Sequence, residues 1–325
     1  MAVTKSPAKA RTAKASVKPV VSAIETSSDS KAGNGTPAAV SERINVMKTY
    51  KIFINGQFPR TESGRYYTLK TSDGNVLNVC LSSRKDFRNA VVAARNAQEK
   101  WEGKTAYNRS QIIYRIAEML ETRRAQFEQE LVSVGISKNI AQKEVSAAID
   151  TTIYYAGWCD KYNQIFSTVN PVASSHFNFS STEAVGVVSM LAPEKSGLLG
   201  LVASIMPVIC SGNTAIVLAS ESLAPLAVTF AEVLATSDLP AGVVNILTGK
   251  KAELLSHFAS HMDVNAVYAN TSDEAILKEL ETLAALNVKR VRTDNLNDWF
   301  AEKARSPYRI MDFLEIKTTW HPIGI

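Results

Sequence analysis

Residues Val185–Pro207 read VGVVSMLAPEKSGLLGLVASIMP. An apolar run is followed by a short polar turn, APEKSG, and then by a second apolar run that contains small residues. This order is typical of a buried strand that turns into a packed helix, and ligands of α/β folds usually bind at such a turn. The stretch therefore predicts an α/β fold with a candidate ligand site beside Pro193.

The same alternation continues for another hundred residues. Apolar β runs alternate with helical patterns, the former at 185–191, 214–219, 242–247, 264–269 and 288–292 and the latter at 197–211, 224–236, 250–260 and 273–286. Units of this kind and length predict a doubly wound parallel sheet with helices on both faces.

The sequence ahead of these strands predicts a helical layer and a projecting arm. Apolar residues recur at helical spacing over Ser83–Trp101, Asn108–Leu131 and Ile140–Tyr162. Asn55-Gly56 stands between two alternating runs and is a strong hairpin signal. Gln164–Thr182 has no helical period but several large apolar residues, so we expect an extended, hairpin-like arm there.

Composition separates a basic tail from the folded part. The chain has 325 residues, is 46% hydrophobic and carries a formal net charge of +5, of which +4 falls within residues 1–40. Residues 1–45 have few large apolar side chains, so we expect a disordered tail. A solvated tail, a tether to an acidic partner and a transit peptide remain alternatives. The tail has no aromatic residues for base stacking, so we expect no nucleic-acid partner.

Cysteine and histidine spacing predicts neither a disulfide framework nor a metal site. Cys80, Cys159 and Cys210 are far apart and form no CxxC pair, which is typical of reduced thiols in a cytoplasmic protein. His257 and His261 are four residues apart, which we interpret as the end of a helix near a turn. No run of 18 apolar residues occurs, so we expect no membrane span.

Three motifs together resemble the aldehyde dehydrogenase superfamily, in its order and at its spacing. They are AVGVVSMLAP at 184–193, SGNTAIVLASE at 211–221 and SDLPAGVVNILTG at 237–249. The resemblance covers most of residues 50–293. It implies the family's NAD(P)-binding type of domain, with a protruding β arm that is used for oligomerisation.

The turn after the first strand departs from the family pattern. In the family an asparagine after the proline helps to form the oxyanion hole. Here Pro193 is kept, but Lys195 stands at the asparagine position. A flexible ammonium is a poor substitute for a preorganised amide donor. We expect Glu194 and Lys195 to make a charged surface turn, and the pocket behind it to be empty or filled by a partner's side chains.

The positions that contact the cofactor in the family are also altered. Its ribose-binding lysine is replaced by Leu218, or by Ala219 if the alignment is shifted, whereas Glu221 stands at the glutamate position. Glu221 is either a surviving ribose contact or a solvated loop carboxylate. Thr271 replaces a glycine of the pyrophosphate turn. Ser272 remains, either as a phosphate contact or as the cap of the following helix.

The part of the sequence that follows the β run at 288–292 differs most from the family pattern, because the segment that would form the catalytic domain is missing. Asp294 stands at the position of the family's glutamate, and it could act as a general base only beside a substrate and a nucleophile. Residues 295–307 form a short polar link, and 308–325 resemble the family's C-terminal strand. In complete enzymes a catalytic domain with the nucleophilic cysteine lies between these points, and none of the three cysteines falls where that nucleophile should be.

The resemblance therefore implies a domain organisation with four parts: a tail at 1–45, the cofactor-type domain at 46–294 with its arm at 164–182, the link at 295–307 and the oligomerisation strand at 308–325. In the family that strand pairs with a neighbouring subunit.

We predict a noncatalytic aldehyde dehydrogenase-like subunit that forms a homo-oligomer, or a hetero-oligomer with a complete aldehyde dehydrogenase. It is similar to the degenerate second half of some two-domain family members. The alternative is an NAD(P)-dependent oxidoreductase acting on aldehydes with residual cofactor binding. We expect no catalytic residue, no metal, no membrane partner and no tight cofactor. Weak NAD(P) binding would use Pro193, Glu221 and Ser272.

Overall fold

Alternating strands and helices of the second half of the chain build the central sheet. The structure, a computed structural model, describes residues 47–324, so the tail predicted at 1–45 lies outside the described residues. The strands are β1 (Thr49–Tyr50), β2 (Tyr66–Lys70), β3 (Val76–Cys80), β4 (Thr168–Asn170), β5 (His176–Ala184), β6 (Val187–Leu191), β7 (Thr214–Leu218), β8 (Val244–Leu247), β9 (Ala266–Asn270), β10 (Arg290–Asp294) and β11 (Leu314–Pro322). The helices are α1 (Arg84–Glu102), α2 (Ala106–Thr122), α3 (Arg124–Ser133), α4 (Lys138–Ala156), α5 (Tyr162–Phe166), α6 (Leu199–Cys210), α7 (Ala224–Ala235), α8 (Lys251–Ser260), α9 (Glu274–Ala284) and α10 (Tyr308–Met311).

The central sheet has five parallel strands in the order β10-β9-β6-β7-β8. The predicted parallel sheet is therefore confirmed, and its order is that of a doubly wound fold. The winding reverses between β6 and β9, and ligands of such folds bind in the crevice outside the carboxyl ends of the strands at that switch point. The turn at Pro193 lies at this edge.

The sheet is covered on both faces, as the alternating pattern predicts. Every residue of β6 and of α6 is buried. One core cluster joins α6 to the helical layer of α2 and α4, and a second joins α1 and α8 to the other face of the sheet. Burying a large apolar side chain contributes about 1.5–3 kcal/mol, so these two layers supply most of the driving force for folding.

Two of the predicted helices are interrupted. The segment Asn108–Leu131 forms α2 and α3, which are separated at Arg123. The segment Ile140–Tyr162 forms most of α4, which ends before Gly157, and then the start of α5. The apolar period continues across the first break, since Phe127 is buried like the apolar face of α2. Periodicity alone therefore did not reveal the break.

The predicted Asn55-Gly56 hairpin turn is confirmed. Both residues have left-handed backbones, with φ of 51° and 73°, as a type I′ turn requires. Ile54 and Gln57 exchange two backbone hydrogen bonds of 3.0 Å. The turn places Phe53 in an antiparallel bridge with Ile246 of β8, which ties the start of the described chain to the central sheet.

The predicted arm and the C-terminal strand come together in a three-stranded antiparallel sheet, β11-β5-β4, which we call the arm sheet. β11 pairs with β5 from Leu314 opposite Ala184 to Pro322 opposite His176. The C-terminal strand thus pairs with the arm of its own chain. Its other edge has no strand partner among the described residues.

Neither a membrane-spanning helix nor a metal-binding cluster is found within residues 47–324. No helix there is long and apolar enough to cross a membrane. No group of three or more His, Cys, Asp and Glu side chains in the same residues could hold a metal ion.

Candidate functional site

The residues singled out from the sequence meet at the carboxyl edge of the central sheet. Pro193 and Lys195 follow β6, Glu221 follows β7, Ser272 follows β9, and Asp294 is the last residue of β10. The doubly wound topology therefore brings them to one crevice, as parallel strands require. Their hydrogen bonds show how each carboxylate and donor is used.

A carboxylate of the same chain occupies the N-terminus of α6. Oε1 of Glu144, on α4, accepts hydrogen bonds from the backbone N–H groups of Leu198 (3.0 Å) and Leu199 (3.2 Å) and from the Ser196 hydroxyl (3.1 Å). Glu144 is buried. A helix N-terminus otherwise attracts anions, so an anionic ligand would have to displace Glu144 to bind here.

The turn between β6 and α6 contains both buried and exposed residues. Pro193 is buried against the first turn of α6, where a Cβ on Gly200 would lie 3.1 Å from its ring. Lys195 is exposed, and no hydrogen bond or ion pair of its side chain is found within residues 47–324. The oxyanion-hole position of the resemblance thus holds a solvated ammonium, which provides no fixed donor.

Glu194, the other charged residue of this turn, bridges three segments of the chain. Oε1 pairs with Nζ of Lys251 at 3.1 Å, and Oε2 accepts from the Ser220 hydroxyl at 2.6 Å. This bridge joins the turn after β6 to the loop after β7 and to the start of α8. Lys195 is exposed and the Glu194 side chain is 39% exposed, so both remain at the surface of the turn. The bridge itself was not predicted, since a contact between positions 57 residues apart leaves no local sequence signal.

Glu221, for which the sequence left a ribose contact and a solvated loop carboxylate as alternatives, has one carboxylate oxygen engaged within the chain. Its Oε1 accepts the backbone N–H of Lys251 at 2.8 Å, so it caps the N-terminus of α8. Its backbone oxygen accepts from the Tyr67 hydroxyl at 3.1 Å. Burial, reinforced by the charges of Glu221 and Glu194, raises the pKa of Tyr67, which keeps this hydroxyl a donor.

The ribose-binding position is apolar under either alignment. Leu218 is only 2% exposed and packs in the core with Leu247 and Leu254. Ala219, the alternative position, is also buried. Neither alignment therefore supplies a cation where the resemblance expects the lysine.

Ser272 does not cap the helix that follows it, so that alternative is wrong. Asp273 caps α9 instead, since its carboxylate accepts from the N–H groups of Ala275 (2.9 Å) and Ile276 (3.3 Å). Ser272 is exposed. A carboxylate is the better acceptor for helix N–H groups, which explains why the cap falls one residue later.

Asp294 is held by a buried cation. Its Oδ2 pairs with Nη1 of Arg309 and accepts from the Tyr268 hydroxyl at 2.9 Å. Arg309 is 7% exposed, donates from Nη2 to Tyr268 at 3.0 Å, and lies over the Trp299 ring at 5.8 Å. Burial, and then the charge of Asp294, raises the pKa of Tyr268 to about 12. Oδ2 of Asp294 is therefore engaged by two donors of the same chain.

The segment predicted as a polar link packs against this edge. Leu296, Trp299 and Ala304 are buried. The backbone of Leu296 exchanges two hydrogen bonds, 2.8 and 3.2 Å, with the side chain of Asn270 at the end of β9. Residues 295–307 thus cover the sheet beside the switch point. The mostly polar composition of residues 295–307 did not predict this packing, because only three buried side chains anchor the segment.

The three thiols are buried away from the crevice surface. Sγ of Cys159 and Sγ of Cys210 lie 3.6 Å apart without a disulfide bond, and Cys80 is also buried. Burial, and then the contact with Cys159, raises the pKa of Cys210 well above its ordinary value. Thiol nucleophiles require an accessible thiolate, which none of the three provides.

The residues at this edge do not fit an NAD(P) molecule bound as the resemblance implies. The N-terminal amides of α6 are taken by Glu144, and the first amide of α8 is taken by Glu221. Leu218, at the position where the resemblance implies a ribose-binding lysine, is buried. A dinucleotide needs free backbone donors for its pyrophosphate, and the amides of Leu198, Leu199 and Lys251 are already used by the chain's own carboxylates.

The sequence predicted the carboxyl edge of the sheet as the candidate site, but it did not predict which side chains hydrogen-bond to the groups there. Glu144, Tyr268 and Arg309 carry no motif, and each reaches the edge from a different element. Arg309 was within the resemblance to the C-terminal segment, but its pairing with Asp294 depends on the path of the link.

Most of the described chain is similar to one protein family. The family model "Aldehyde dehydrogenase family" matches residues 61–294. The cytosolic 10-formyltetrahydrofolate dehydrogenase of Xenopus tropicalis is 31% identical over 263 residues, which are 78% of this chain and 29% of that protein. The "Aldehyde dehydrogenase, cytosolic 1" of Elephantulus edwardii is 30% identical over 249 residues, 74% of this chain and 49% of that protein.

Solved structures show the same fold. An NAD+ complex of an aldehyde dehydrogenase from Bacillus cereus superposes with a TM-score of 0.70 at 26% identity, covering 76% of this chain and 50% of that one. An NAD-dependent aldehyde dehydrogenase from Sinorhizobium meliloti has a TM-score of 0.70 at 24% identity, with coverage of 79% and 52%. The chain thus spans half or less of the length of most of these proteins.

Removing the carboxylate at the start of α6 tests its structural role. We expect Glu144→Ala to lower the free energy of unfolding by about 3 kcal/mol, because three buried donors lose their acceptor. Glu144→Gln keeps an acceptor oxygen and should cost about 1 kcal/mol. Urea unfolding followed by circular dichroism measures both. The exposed Glu118→Ala is the control, and equal losses for Glu118→Ala and Glu144→Ala would contradict the role.

A second prediction concerns the ion pair between the buried Arg309 and the partly exposed Asp294. We expect Arg309→Met to cost about 3 kcal/mol of unfolding free energy, because it leaves Asp294 without its cation. Arg292→Met, which breaks the exposed pair with Asp312 (3.3 Å), should cost less than about 1 kcal/mol. Chemical denaturation compares the two. A loss at Arg309 no larger than that at Arg292 would show that the pair does not hold the segment.

Proposed function

Because the chain belongs to the aldehyde dehydrogenase family, we propose that it is a noncatalytic member of that family which acts as an assembly subunit. It binds a second copy of itself or an intact aldehyde dehydrogenase through the arm sheet. The proposal rests on a contrast between two parts of the molecule. At the carboxyl edge the carboxylates of Glu144, Glu194, Glu221 and Asp294 are held by donors of the same chain, whereas the arm sheet leaves apolar side chains and one strand edge without partners in the described chain.

The faces of the arm sheet carry the proposal. Side chains alternate between the two faces of a strand, which puts Ile316 and Trp320 on one face and Val169 and Phe177 on the other. These four are 53%, 57%, 64% and 45% exposed, respectively. A projecting antiparallel sheet normally keeps at least one face polar toward solvent, and exposed apolar side chains on both faces are typical of an interaction surface.

The outer edge of β11 offers the second contact. β11 runs for nine residues and pairs with β5 along one side only. Its outward N–H and C=O groups can therefore accept a strand of another subunit, which is β-augmentation. In complete enzymes of the family the resemblance implies that the C-terminal strand pairs with a neighbouring subunit. An intact family member would bring a catalytic domain that this chain does not supply between Asp294 and β11.

The chemistry of the edge favours a noncatalytic role. Asp294 is neutralised by Arg309, Lys195 is exposed, and all three thiols are buried. No group among the described residues is therefore placed as a nucleophile with a base and an oxyanion donor beside it.

The alternative function is an aldehyde oxidoreductase with residual NAD(P) binding. The NAD+ complex of the Bacillus cereus relative supports it, and the chain's own caps at Glu144 and Glu221 oppose it. We expect 1 mM NAD+ to raise the stability by less than about 0.4 kcal/mol, the gain for a dissociation constant of about 1 mM. We also expect Lys195→Asn to form no NADH with aliphatic aldehydes. Thermal melting and absorbance at the NADH band measure these outcomes, and NADH formation by this variant would favour the oxidoreductase.

Assembly is tested by the mass of the full chain in solution. We expect the purified chain to exceed the monomer mass at micromolar concentration, or to do so when mixed with an intact aldehyde dehydrogenase from the same cells. Ile316→Lys with Trp320→Lys should abolish this, because two charges would be buried in the contact. Light scattering coupled to size-exclusion chromatography measures the masses.

The matched control is Leu286→Lys with Tyr107→Lys, since both side chains are 72% exposed and lie outside the arm sheet. This variant should assemble like the original chain. A monomer under both conditions, or equal loss of assembly in the two double variants, would overturn the proposal.

A further inference from the structure

A cluster of four basic side chains lies on the seam between α1 and α8, apart from the residues of the carboxyl edge. Arg84 and Arg88 come from α1, His257 comes from α8, and His261 follows its last turn. They line a cavity of about 290 Å³ together with Phe87 and neighbouring residues. Neither the arm sheet nor the ion pair at Asp294 contributes to this cavity.

Aromatic packing fixes the seam. The ring of Phe87 stacks on Phe258 with a centroid distance of 4.2 Å and an interplanar angle of 28°. The same ring meets His261 edge-on at 5.7 Å. Arg84 and Arg88 are four positions apart on α1, which places them on one face of that helix. The aromatic contact holds α1 against α8, so that both arginines and both histidines line the same cavity.

Carboxylates do not neutralise this cluster. Neither Arg84 nor Arg88 makes an ion pair within residues 47–324. The nearby carboxylate of Asp263 pairs with Arg95 at 2.8 Å, and the backbone N–H of Asp263 donates to Nδ1 of His261 at 3.2 Å. That hydrogen bond leaves Nε2 to carry the ring proton, so His261 can donate to a ligand even when neutral.

Burial and the neighbouring positive charges both disfavour protonation of the two histidines. Burial and then Arg84 lower the pKa of His257. Burial lowers the pKa of His261, to which Lys289, Arg84 and His257 add, whereas Asp263 acts in the opposite direction. Burial also lowers the pKa of Lys289 to about 8. An anion bound among these groups would relieve the repulsion and favour the protonated histidines.

We propose that this cavity is a binding site for a phosphoryl dianion, a class that includes inorganic phosphate, diphosphate and phosphate monoesters. Arginine forks bind phosphate oxygens bidentately, and the histidines add donors whose charge rises as the pH falls. The volume of about 290 Å³ lies at the lower limit of the roughly 300–1,000 Å³ typical of drug-sized ligands. It therefore admits one or two phosphoryl groups and not a whole dinucleotide.

The experiment uses the full chain with sodium phosphate, diphosphate and glycerol 3-phosphate, each against sodium chloride of equal ionic strength. Calorimetric titration should detect one site, with affinity rising as the pH is lowered from 7.5 to 6.0. Arg84→Gln with Arg88→Gln should weaken binding by about tenfold or more, because two charge-assisted contacts are lost. Proton NMR should show that the ligand raises the pKa of both His257 and His261.

The matched control is Lys51→Gln with Lys70→Gln, which removes the same charge from two exposed positions, one just after β1 and one at the end of β2. It should bind like the original chain. Equal weakening in both double variants would show only a general charge effect and would overturn the site. Unchanged histidine pKa values on addition of diphosphate would do the same. Equal binding of all three ligands would indicate that one phosphoryl group suffices, and preference for the monoester would identify an esterified ligand. Every one of these readouts is independent of subunit assembly.

Discussion

The ion pair between Arg309 and Asp294 links the two parts of the proposal, the noncatalytic carboxyl edge and the arm sheet that binds another subunit. It uses the carboxylate that stands at the family's glutamate position, and it anchors the short helix that leads into β11. The same contact therefore removes a candidate base from the crevice and fixes the start of the arm sheet. Because Arg309 is almost fully buried, it cannot leave Asp294 without a large desolvation cost.

At two further points of the carboxyl edge, a carboxylate of the chain itself occupies groups that could bind a ligand. Glu144 satisfies the amides at the start of α6, and Glu221 satisfies the first amide of α8. In a doubly wound fold these amides are the groups that usually receive a ligand's phosphates. Carboxylates supplied by the chain itself preserve the fold without a ligand. The arm sheet shows the opposite balance, with apolar side chains and a strand edge left for another molecule.

The sequence predicted the larger features because they depend on local patterns. The βα alternation predicted the parallel sheet, and the Asn55-Gly56 pair predicted its turn. The sequence did not predict the break at Arg123, the bridge from Glu194 to Lys251 or the burial of Trp299. Each of these depends on tertiary packing between distant segments, for which a single sequence carries no period or spacing.

The most direct test of the assembly claim is hydrogen exchange resolved to single amides along β11 in the full chain at micromolar concentration. Alternate amides of this strand point toward β5, and the others point away from it. Pairing with another subunit predicts that the outward amides between residues 315 and 321 exchange slowly and become fast on dilution. Fast exchange of the outward amides at every concentration, also with an intact aldehyde dehydrogenase present, would contradict the account.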